Sequence, residues 1–292
     1  MFLTIYTPTF NRANTLDRLY KSLLRQTNKN FVWLVIDDGS TDETRRIVSN
    51  YIIEDKIKIK YYYQENRGKM EAVNYAHSLI NTDLNTCLDS DDFFVDNAVE
   101  IIYEKWLFIK DDIKLAGMVG LDCYHDGAIV GDVFPEGYEV SKFSDFFEKK
   151  VKGDKKFIYK TSVVKKYPKY PSFDNEKFPA DGYLYRLIDK DYDLYLFNEV
   201  LCVVEYLDDG LSKGTYKRYK DNPNSYRFYR AERISLANNF VEKFKHGIHY
   251  VSSSIFAFKS IFLKKNYFVI LISIIPGLLL NLLIRFKTRK WK

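Results

Sequence analysis

The chain has 292 residues, of which 46% are hydrophobic, and a formal net charge of +6. This composition excludes disorder as a description of the whole chain and suffices for one large α/β domain with a smaller appendage. Three widely spaced cysteines exclude a disulfide framework and a cysteine metal site, and they are typical of a reducing compartment. The first residues lack the basic and apolar regions of a signal peptide, so we expect none.

The first hundred residues alternate short apolar runs with amphipathic segments. The runs rich in apolar and β-branched residues predict strands at 2–6, 31–36, 57–63 and 85–88. Apolar residues at helical spacing predict helices that begin near Asn14 or Thr15, after a cap at Ser40 or Thr41, after Lys69 and near Asp96. This repetition of strand, loop and helix predicts a mostly parallel sheet with helices on both faces.

A polar segment follows each of these four strands. The segments are 7–12, 37–42, 66–69 and 89–92. In parallel sheets, ligands bind at the carboxyl ends of the strands, and all four segments are predicted to lie there. We therefore expect them to meet around one crevice.

The stretch Leu88-Asp89-Ser90-Asp91-Asp92 places three carboxylates within four positions. At a strand end, the side chains of Asp89 and Asp91 point to the same side of the chain. Carboxylates this close repel one another, and a divalent hard cation such as Mg²⁺ or Mn²⁺ takes oxygen ligands of this kind. The alternative is that Ser90, Asp91 and Asp92 cap the helix that begins near Asp96.

Three cations in the polar segments, Arg12, Arg67 and Lys69, offer charges for phosphate groups. The glycine patterns of a dinucleotide fold and of a phosphate loop are both missing from the sequence, so those two classes are excluded. A nucleoside diphosphate held through a metal ion remains. Asp38 has the chemistry to accept a hydrogen bond from a base or ribose, although a turn and helix cap also explain Asp37-Asp38-Gly39.

Taken together, the four segments resemble the successive signatures of family 2 glycosyltransferases with the GT-A fold. The quoted stretches are Thr7-Pro8-Thr9-Phe10-Asn11-Arg12, Val35-Ile36-Asp37-Asp38-Gly39-Ser40-Thr41-Asp42, Asn66-Arg67-Gly68-Lys69 and Leu88-Asp89-Ser90-Asp91-Asp92. The resemblance implies a nucleotide-sugar donor, usually UDP-linked, a divalent metal at the Asp-x-Asp, and inversion at the anomeric carbon.

The resemblance also implies roles for individual residues. Thr7, Pro8 and Asp38 would surround the base. Asp89 would lie by the ribose and the metal. The nucleotide-sugar site that we expect comprises Thr7, Pro8, Phe10, Asn11, Arg12, Asp38, Asn66, Arg67, Lys69, Asp89 and Ser90. Asp89 and Asp91 are the expected metal ligands, with Mn²⁺ or Mg²⁺ as the cofactor.

Inversion in a single displacement needs a general base that takes the proton of the acceptor hydroxyl. Asp181 is the candidate, because it stands before an amphipathic helix in the acceptor half. The family often has Glu-Asp at this point, whereas this chain has Ala180-Asp181. A helix cap is the alternative role for Asp181, and Asp174 and Glu176 are the other candidates for the base.

Between residues 115 and 213 the pattern is less regular. It predicts strands at 115–123 and 157–159, a short helix within 141–150, and a strand pair within 192–204. The following loop, 205–213, resembles a segment of capsular-polysaccharide relatives of the family, where such loops close over the donor. Glu205 and Asp208 have the chemistry to touch metal or acceptor, and we assign neither a role.

The carboxy-terminal region combines basic, aromatic and apolar segments. The helical pattern over 218–244 interleaves cations with tyrosines, and 267–284 is nearly continuous in apolar residues. Pro276-Gly277 predicts a kinked or re-entrant hairpin in one leaflet, with both basic flanks at the cytoplasmic face. The alternative is a buried helix pair that completes the core.

We therefore expect a GT-A catalytic domain over 1–212, with a nucleotide half at 1–115 and an acceptor half at 116–212. A helical, membrane-associating region is expected over 213–292. The expected function is inverting, metal-dependent sugar transfer from a UDP-sugar to a lipid-linked or polysaccharide acceptor, in the synthesis of bacterial surface polysaccharide such as capsule. The expected location is the cytoplasmic face of the membrane. The alternatives are a nucleic-acid-binding protein that uses the basic aromatic tail and a sugar nucleotidyltransferase; we expect no nucleic acid as partner.

Overall fold

The computed structural model describes residues 1–148, 151–177, 182–205, 214–237, 239–263 and 265–289. Its strands are β1 (Leu3–Thr9), β2 (Phe31–Asp38), β3 (Ile59–Gln64), β4 (Leu84–Cys87), β5 (Phe93–Phe94), β6 (Leu115–Cys123), β7 (Val140–Ser141), β8 (Lys155–Lys160) and β9 (Asp193–Val203). Its helices are α1 (Ala13–Arg25), α2 (Thr44–Glu54), α3 (Lys69–Leu79), α4 (Ala98–Ile109), α5 (Phe143–Glu148), α6 (Thr161–Val164), α7 (Gly182–Ile188), α8 (Thr215–Asp221), α9 (Pro223–Leu236), α10 (Phe240–Phe256) and α11 (Tyr267–Arg289).

One sheet contains these strands, in the order β3-β2-β1-β4-β8-β6-β9-β5, with β7 paired to β9. The first four strands of that order are parallel, as the alternating pattern predicts. The other part of the sheet is mixed, because β8 runs antiparallel to both β4 and β6 while β9 runs parallel to β6. The carboxyl ends of β1, β2, β3 and β4 therefore lie along one edge.

The central strands are covered on both faces, which explains their continuous apolar runs. Every residue of β1 and β2 is buried. Helix α1 turns Leu16, Leu19 and Leu23 into this core, and none of the three is exposed to solvent. The predicted period of this helix is therefore confirmed. Strand β1 continues three residues beyond its predicted end, because Thr7 to Thr9 pair with the end of β2.

One local prediction is wrong. The region 192–204 forms the single strand β9 rather than a strand pair, and its register with β6 is shifted at several points. The two-residue strand β5 precedes α4, which begins at Ala98, two residues after the predicted start. The partner of β5 is β9, more than a hundred residues away, and no local pattern encodes that pairing.

The chain divides into two compact units, the sheet unit (Met1–Tyr170 with Asp181–Leu207) and the helical unit (Pro171–Ala180 with Asp208–Lys292). In the helical unit, α9 and α11 both pack on α10. Helix α11 continues through Pro276, so the expectation of a hairpin is wrong. Proline removes one hydrogen bond from the helix, and packing on α10 before and after this position supports continuity: Ser273 contacts Gly247, and Asn281 donates to the Ser252 carbonyl over 3.1 Å.

Candidate functional site

An acidic cluster follows β4. Asp89, Asp91 and Asp92 each offer a carboxylate oxygen, and these oxygens lie within 4.8 Å of one another. Strand β5 comes directly afterwards, Asn97 occupies the cap position of α4, and the first-turn N–H of Val99 donates to Gln26 Oε1 over 3.0 Å. Helix capping is therefore not the role of these carboxylates. Three converging oxygens fit the coordination that a hard divalent cation prefers.

Burial and neighbouring charges shift the pKa values of all three carboxylates. Burial alone would raise the pKa of Asp89, but Lys69, whose Nζ lies 2.9 Å from Asp89 Oδ2, holds it below its usual value. Burial and the charge of Asp89 raise the pKa of Asp91. Burial raises the pKa of Asp92 to about 7, with Asp89 and Asp91 adding to the effect and Lys156 opposing it. The cluster thus carries more negative charge than its own lysines neutralise.

Asp38 links this cluster to the neighbouring strand ends. Its Oδ1 accepts from the backbone N–H of Arg67 over 2.9 Å, and its Oδ2 accepts from that of Gly68 over 2.7 Å. The next residue is Lys69, which holds Asp89. Asp38 and Asp89 therefore lie on the same rim, as the sequence predicts, joined by one short segment. The clearest role of Asp38 is to position that segment.

The loops after β1 and β2 are also bound to one another. Asn11, at φ +52°, accepts from the backbone N–H of Thr41 over 2.8 Å and donates its own N–H to Ser40 Oγ over 2.9 Å. Ser40 and Thr41 hold this loop rather than cap α2, which begins at Thr44. The loop after β2 also approaches the loop after β3 closely. This approach requires glycine at 39, because a Cβ there would lie 2.7 Å from the Asn66 nitrogen and the φ is +83°.

The other predicted nucleotide-sugar residues lie on or near this rim. Thr7 and Pro8 belong to β1, and the buried hydroxyl of Thr7 accepts from Trp33 Nε1 over 3.0 Å. Phe10 is 45% exposed. Arg12 lies close enough to Asp91 to lower its pKa, against the stronger effect of burial.

Arg18 on α1 is a site residue that the sequence pattern did not reveal. Its Nη2 donates to the backbone carbonyl of Asp91 over 2.6 Å and forms an ion pair with Glu205. Its guanidinium stacks 5.0 Å from the centre of the Phe93 ring. Glu205 in turn donates its backbone N–H to Asp92 over 3.2 Å. Arg18 thus holds the backbone of the acidic cluster in place, through contacts between residues that are distant in sequence.

Lys156 on β8 is the second residue that sequence reasoning missed. It is 7% exposed, and its charge acts on Asp89, Asp92 and Asp122. Burial opposes its protonation, but the surrounding acidic groups keep its pKa well above the usual value. Nothing local distinguishes Lys156 from the surface lysines around it, because only the folded sheet brings it beneath the cluster.

The candidates for the general base differ in how they are placed. Asp181 lies outside the described residues, as does Asp208, to which we assigned no role. Asp174 is exposed. Glu176 is occupied, because its Oε1 accepts from Asn224 and its Oε2 from both the N–H and hydroxyl of Ser225, over 2.7 to 2.9 Å. These bonds make Glu176 a cap for the start of α9, which argues against a role as the base.

The sheet order and the mixed α/β layering define a GT-A fold, and comparison with solved structures agrees. The S. aureus protein TarS, residues 1–349, crystallised with UDP-GlcNAc, superposes with a TM-score of 0.58 at 20% identity, covering 89% of this chain and 74% of that one. Mannosyltransferase PcManGT from Pyrobaculum calidifontis, in complex with GDP-Man and Mn²⁺, has a TM-score of 0.56 at 16% identity, covering 96% and 86%. At these identities the likeness concerns the fold.

Sequence comparison identifies the family. The model of the family described as glycosyl transferase family 2 matches residues 4–123, the region that contains all four polar segments. GlyA of Streptococcus pneumoniae, named a glycosyltransferase, is 28% identical over 84% of this chain. A Campylobacter jejuni GalNAc(5)-diNAcBac-PP-undecaprenol beta-1,3-glucosyltransferase is 25% identical over 78% of this chain and 70% of its own length. The chain spans only a third of GlyA. Residues 4–123 of this chain are therefore a region of the glycosyl transferase family 2 type.

Proposed function

We propose that this chain is an inverting, metal-dependent glycosyltransferase that moves a sugar from a UDP-sugar to a hydroxyl group of a lipid-linked or polysaccharide acceptor. The observation that carries the proposal is the acidic cluster at the end of β4, on the same rim as Asp38 and beside Lys69. The match of residues 4–123 to this family supports the sugar-transfer chemistry.

Asp89 and Asp91 are the residues that would hold the cation, with Asp92 beside them. A divalent cation bound there supplies Lewis acidity that neutralises the leaving diphosphate. Arg12 and Lys69 add positive charge on the same side. Arg18 keeps the Asp91 backbone in place, so the ligand oxygens need little rearrangement on binding.

We assign the acceptor side to Asp181 on the strength of the family resemblance. As general base, its carboxylate would take the proton of the acceptor hydroxyl while that oxygen attacks the anomeric carbon. The bonding of Glu176 to the start of α9 supports this choice over the neighbouring acid.

We further propose that the acceptor is reached at the cytoplasmic face of the membrane, in the synthesis of bacterial surface polysaccharide. Among the described residues, α11 is long and apolar enough to cross a membrane, judged by length and composition. The name of the C. jejuni relative specifies an undecaprenol-linked substrate, which agrees with a membrane location.

The two alternative functions have less support. In the basic aromatic tail, Arg227 stacks on Tyr250, while Arg230 and Arg233 bond to His246. These cations and rings hold the helical unit together rather than present a platform for bases. A nucleotidyltransferase would form a nucleotide-sugar from a nucleoside triphosphate, whereas the match to family 2 favours consumption of one.

Calorimetry with Mn²⁺ and UDP tests the proposal. The wild-type protein should bind UDP only when Mn²⁺ is present, and Asp91→Ala should weaken that binding by about 100-fold or more because it removes a ligand. Asp111→Ala provides the matched control, since its side chain is 91% exposed at the end of α4. A thermal-shift screen of nucleotide-sugars with Mn²⁺ then identifies the donor. Undiminished UDP binding by Asp91→Ala would contradict the assignment of Asp91 as a metal ligand.

A further inference from the structure

Helix α11 exposes large apolar side chains on one face and buries small and polar residues within the other. The residues that it buries are Val269, Ile270, Ser273, Gly277, Asn281 and Ile284. Six leucine and isoleucine side chains between the ends of the helix point outward and form what we call the apolar stripe. The stripe comprises Leu271, Ile275, Leu278, Leu279, Leu282 and Leu283, between 41% and 71% exposed. A helix face of this composition has an apolar phase as its stable surroundings.

The stripe cannot rotate inward, because the opposite face is locked against α10. A Cβ added to Gly247 would lie 2.4 Å from Ser273 Oγ, and a Cβ added to Gly277 would lie 2.6 Å from Val251. Small residues at intervals of four are typical of helices that pack closely in membranes. The hydrogen bond from Asn281 to the Ser252 carbonyl fixes the register.

The direction of α10 decides how α11 meets a membrane. Gly247 contacts the first part of α11, and Phe256 lies under the Arg285 guanidinium near its end, so the two helices run side by side in the same direction. A spanning α11 would carry α10 into the hydrocarbon along its length. His249 of α10 and Arg230 of α9, which interact electrostatically, would then lie at bilayer depth. Ionisable groups there are strongly unfavourable.

The charge of this region matches an anionic surface. Residues 243–292 contain ten lysines and arginines and no aspartate or glutamate. Lys265 precedes α11, and Lys287 and Arg289 occupy its last turn; all three are exposed. Basic residues at both ends of an apolar helix face are attracted to anionic headgroups and flank the apolar contact.

We infer that α11 lies parallel to the surface of an anionic membrane, with the apolar stripe inserted in one leaflet and both helix ends on the same side. This inference rests on the membrane location proposed above and specifies its geometry. The partner is the lipid surface itself. A spanning arrangement and a second copy of the chain over the stripe are the competing outcomes.

Sedimentation with vesicles tests the contact surface. The full chain should bind vesicles of phosphatidylglycerol and phosphatidylcholine and bind phosphatidylcholine alone more weakly. The double variant Ile275→Ser/Leu279→Ser should lower binding by about 10-fold or more. The matched control is Ile52→Ser/Ile53→Ser, two exposed apolar residues on α2, which should bind like wild type. Equal binding by the stripe variant and wild type would overturn the inference.

Sided labelling tests the orientation. Lys265→Cys and Lys287→Cys are each expressed and labelled with a membrane-impermeant maleimide in sealed, inverted membrane vesicles. Both cysteines should react from outside, at similar rates, above the background of wild-type protein. Labelling of one position but not the other would place the ends of α11 on opposite sides and overturn the in-plane geometry.

Two further readouts separate this inference from the proposed function. Lipid-free protein that forms a stable dimer, which Ile275→Ser/Leu279→Ser converts to a monomer, would identify a second copy as the occupant and overturn the inference. Wild-type protein that binds UDP with Mn²⁺ but no vesicles would overturn the membrane geometry alone. Protein that binds vesicles through the stripe but not UDP would support the geometry while the proposed function fails.

Discussion

The sheet unit and the helical unit place polar groups in opposite ways. Helix α1 of the sheet unit buries Leu16, Leu19 and Leu23 and presents Lys21 and Arg25 to water. Helix α11 of the helical unit buries Ser273 and Asn281 beside Ile270 and Ile284, and it exposes the apolar stripe. One physical rule produces both results, because apolar surface leaves water wherever it can. The contrast agrees with the lipid contact that we infer for the apolar stripe.

The polar groups that each unit buries also differ in purpose. At the ends of the parallel strands, Asp37 and Asp38 are buried and hold loops in place, with Asp37 accepting from the Ser40 backbone N–H over 2.7 Å. These bonds shape a site for a ligand. In the helical unit, the buried Ser273 donates to the Val269 carbonyl over 2.7 Å within its own helix. Its polarity is satisfied locally, which allows two helices to approach closely.

The largest expected effect concerns the chemical step assigned to the sheet unit. Asp181→Asn should reduce sugar transfer by about 100-fold to 10,000-fold, because it removes the general base, while UDP binding in the presence of Mn²⁺ stays normal. Single-turnover transfer and calorimetry measure the two quantities. Asp174→Asn is the matched control and should retain activity. Near-normal turnover by Asp181→Asn would mean that another residue is the general base.

The sheet unit could be predicted largely from its sequence, because each of its first four strands is a local run of apolar residues and each loop carries its own motif. The acidic cluster was identifiable for the same reason. Arg18 and Glu205, in contrast, are 187 positions apart, and Phe93 of β5 pairs with Val203 of β9, 110 positions away. Such contacts depend on the whole sheet, so no window of sequence contains them.

The sequence of α11 posed a different difficulty. Its apolar length was readable, but its two faces were not, because Pro276 and Gly277 have the composition of a turn. The structure assigns Gly277 to packing instead, since Val251 occupies the space where its Cβ would be. A glycine that admits a neighbouring helix and a glycine that ends a helix are alike in sequence.

The next effect in size tests the close packing that distinguishes the helical unit. Gly277→Val should weaken the α10–α11 pair by about 2 kcal/mol, because its Cβ would lie 2.6 Å from Val251. Hydrogen exchange of α10 amides should accelerate by about 30-fold, while exchange in β1 and β2 stays unchanged. Leu278→Val, on the exposed face, should alter exchange little. Equal effects of the two variants would contradict the assignment of the buried face.

A smaller effect is expected at Arg18, where the sheet unit fixes its acidic cluster. Arg18→Gln should raise the Mn²⁺ concentration needed for half-maximal UDP binding by about 10-fold, because the Asp91 carbonyl and Glu205 lose their shared donor. Arg18→Lys should have an intermediate effect between wild type and Arg18→Gln, since it keeps the charge but not the planar guanidinium group. Arg25→Gln is the control, because Arg25 lies on the same helix as Arg18 and its ion pair with Asp96 is exposed. If Arg18→Gln and Arg25→Gln behave alike, Arg18 has no part in positioning the metal ligands.

The smallest effect concerns His77, a half-buried histidine of the sheet unit. Burial lowers the pKa of His77 to about 4, and its Nε2 lies 3.2 Å from the Tyr6 hydroxyl. In the unfolded chain, the imidazole of His77 takes up a proton near pH 6.5. The folded state therefore has its full stability with respect to this group above pH 6.5, and it loses stability as the pH falls towards 4. Denaturant unfolding followed by the fluorescence of buried Trp33 should show a loss of about 1 kcal/mol between pH 7 and pH 5.5 from this residue. His77→Gln should remove that part of the pH dependence, whereas His125→Gln, on an exposed loop, should keep it. An unchanged pH dependence in His77→Gln would mean that the folded protein accommodates the charged ring.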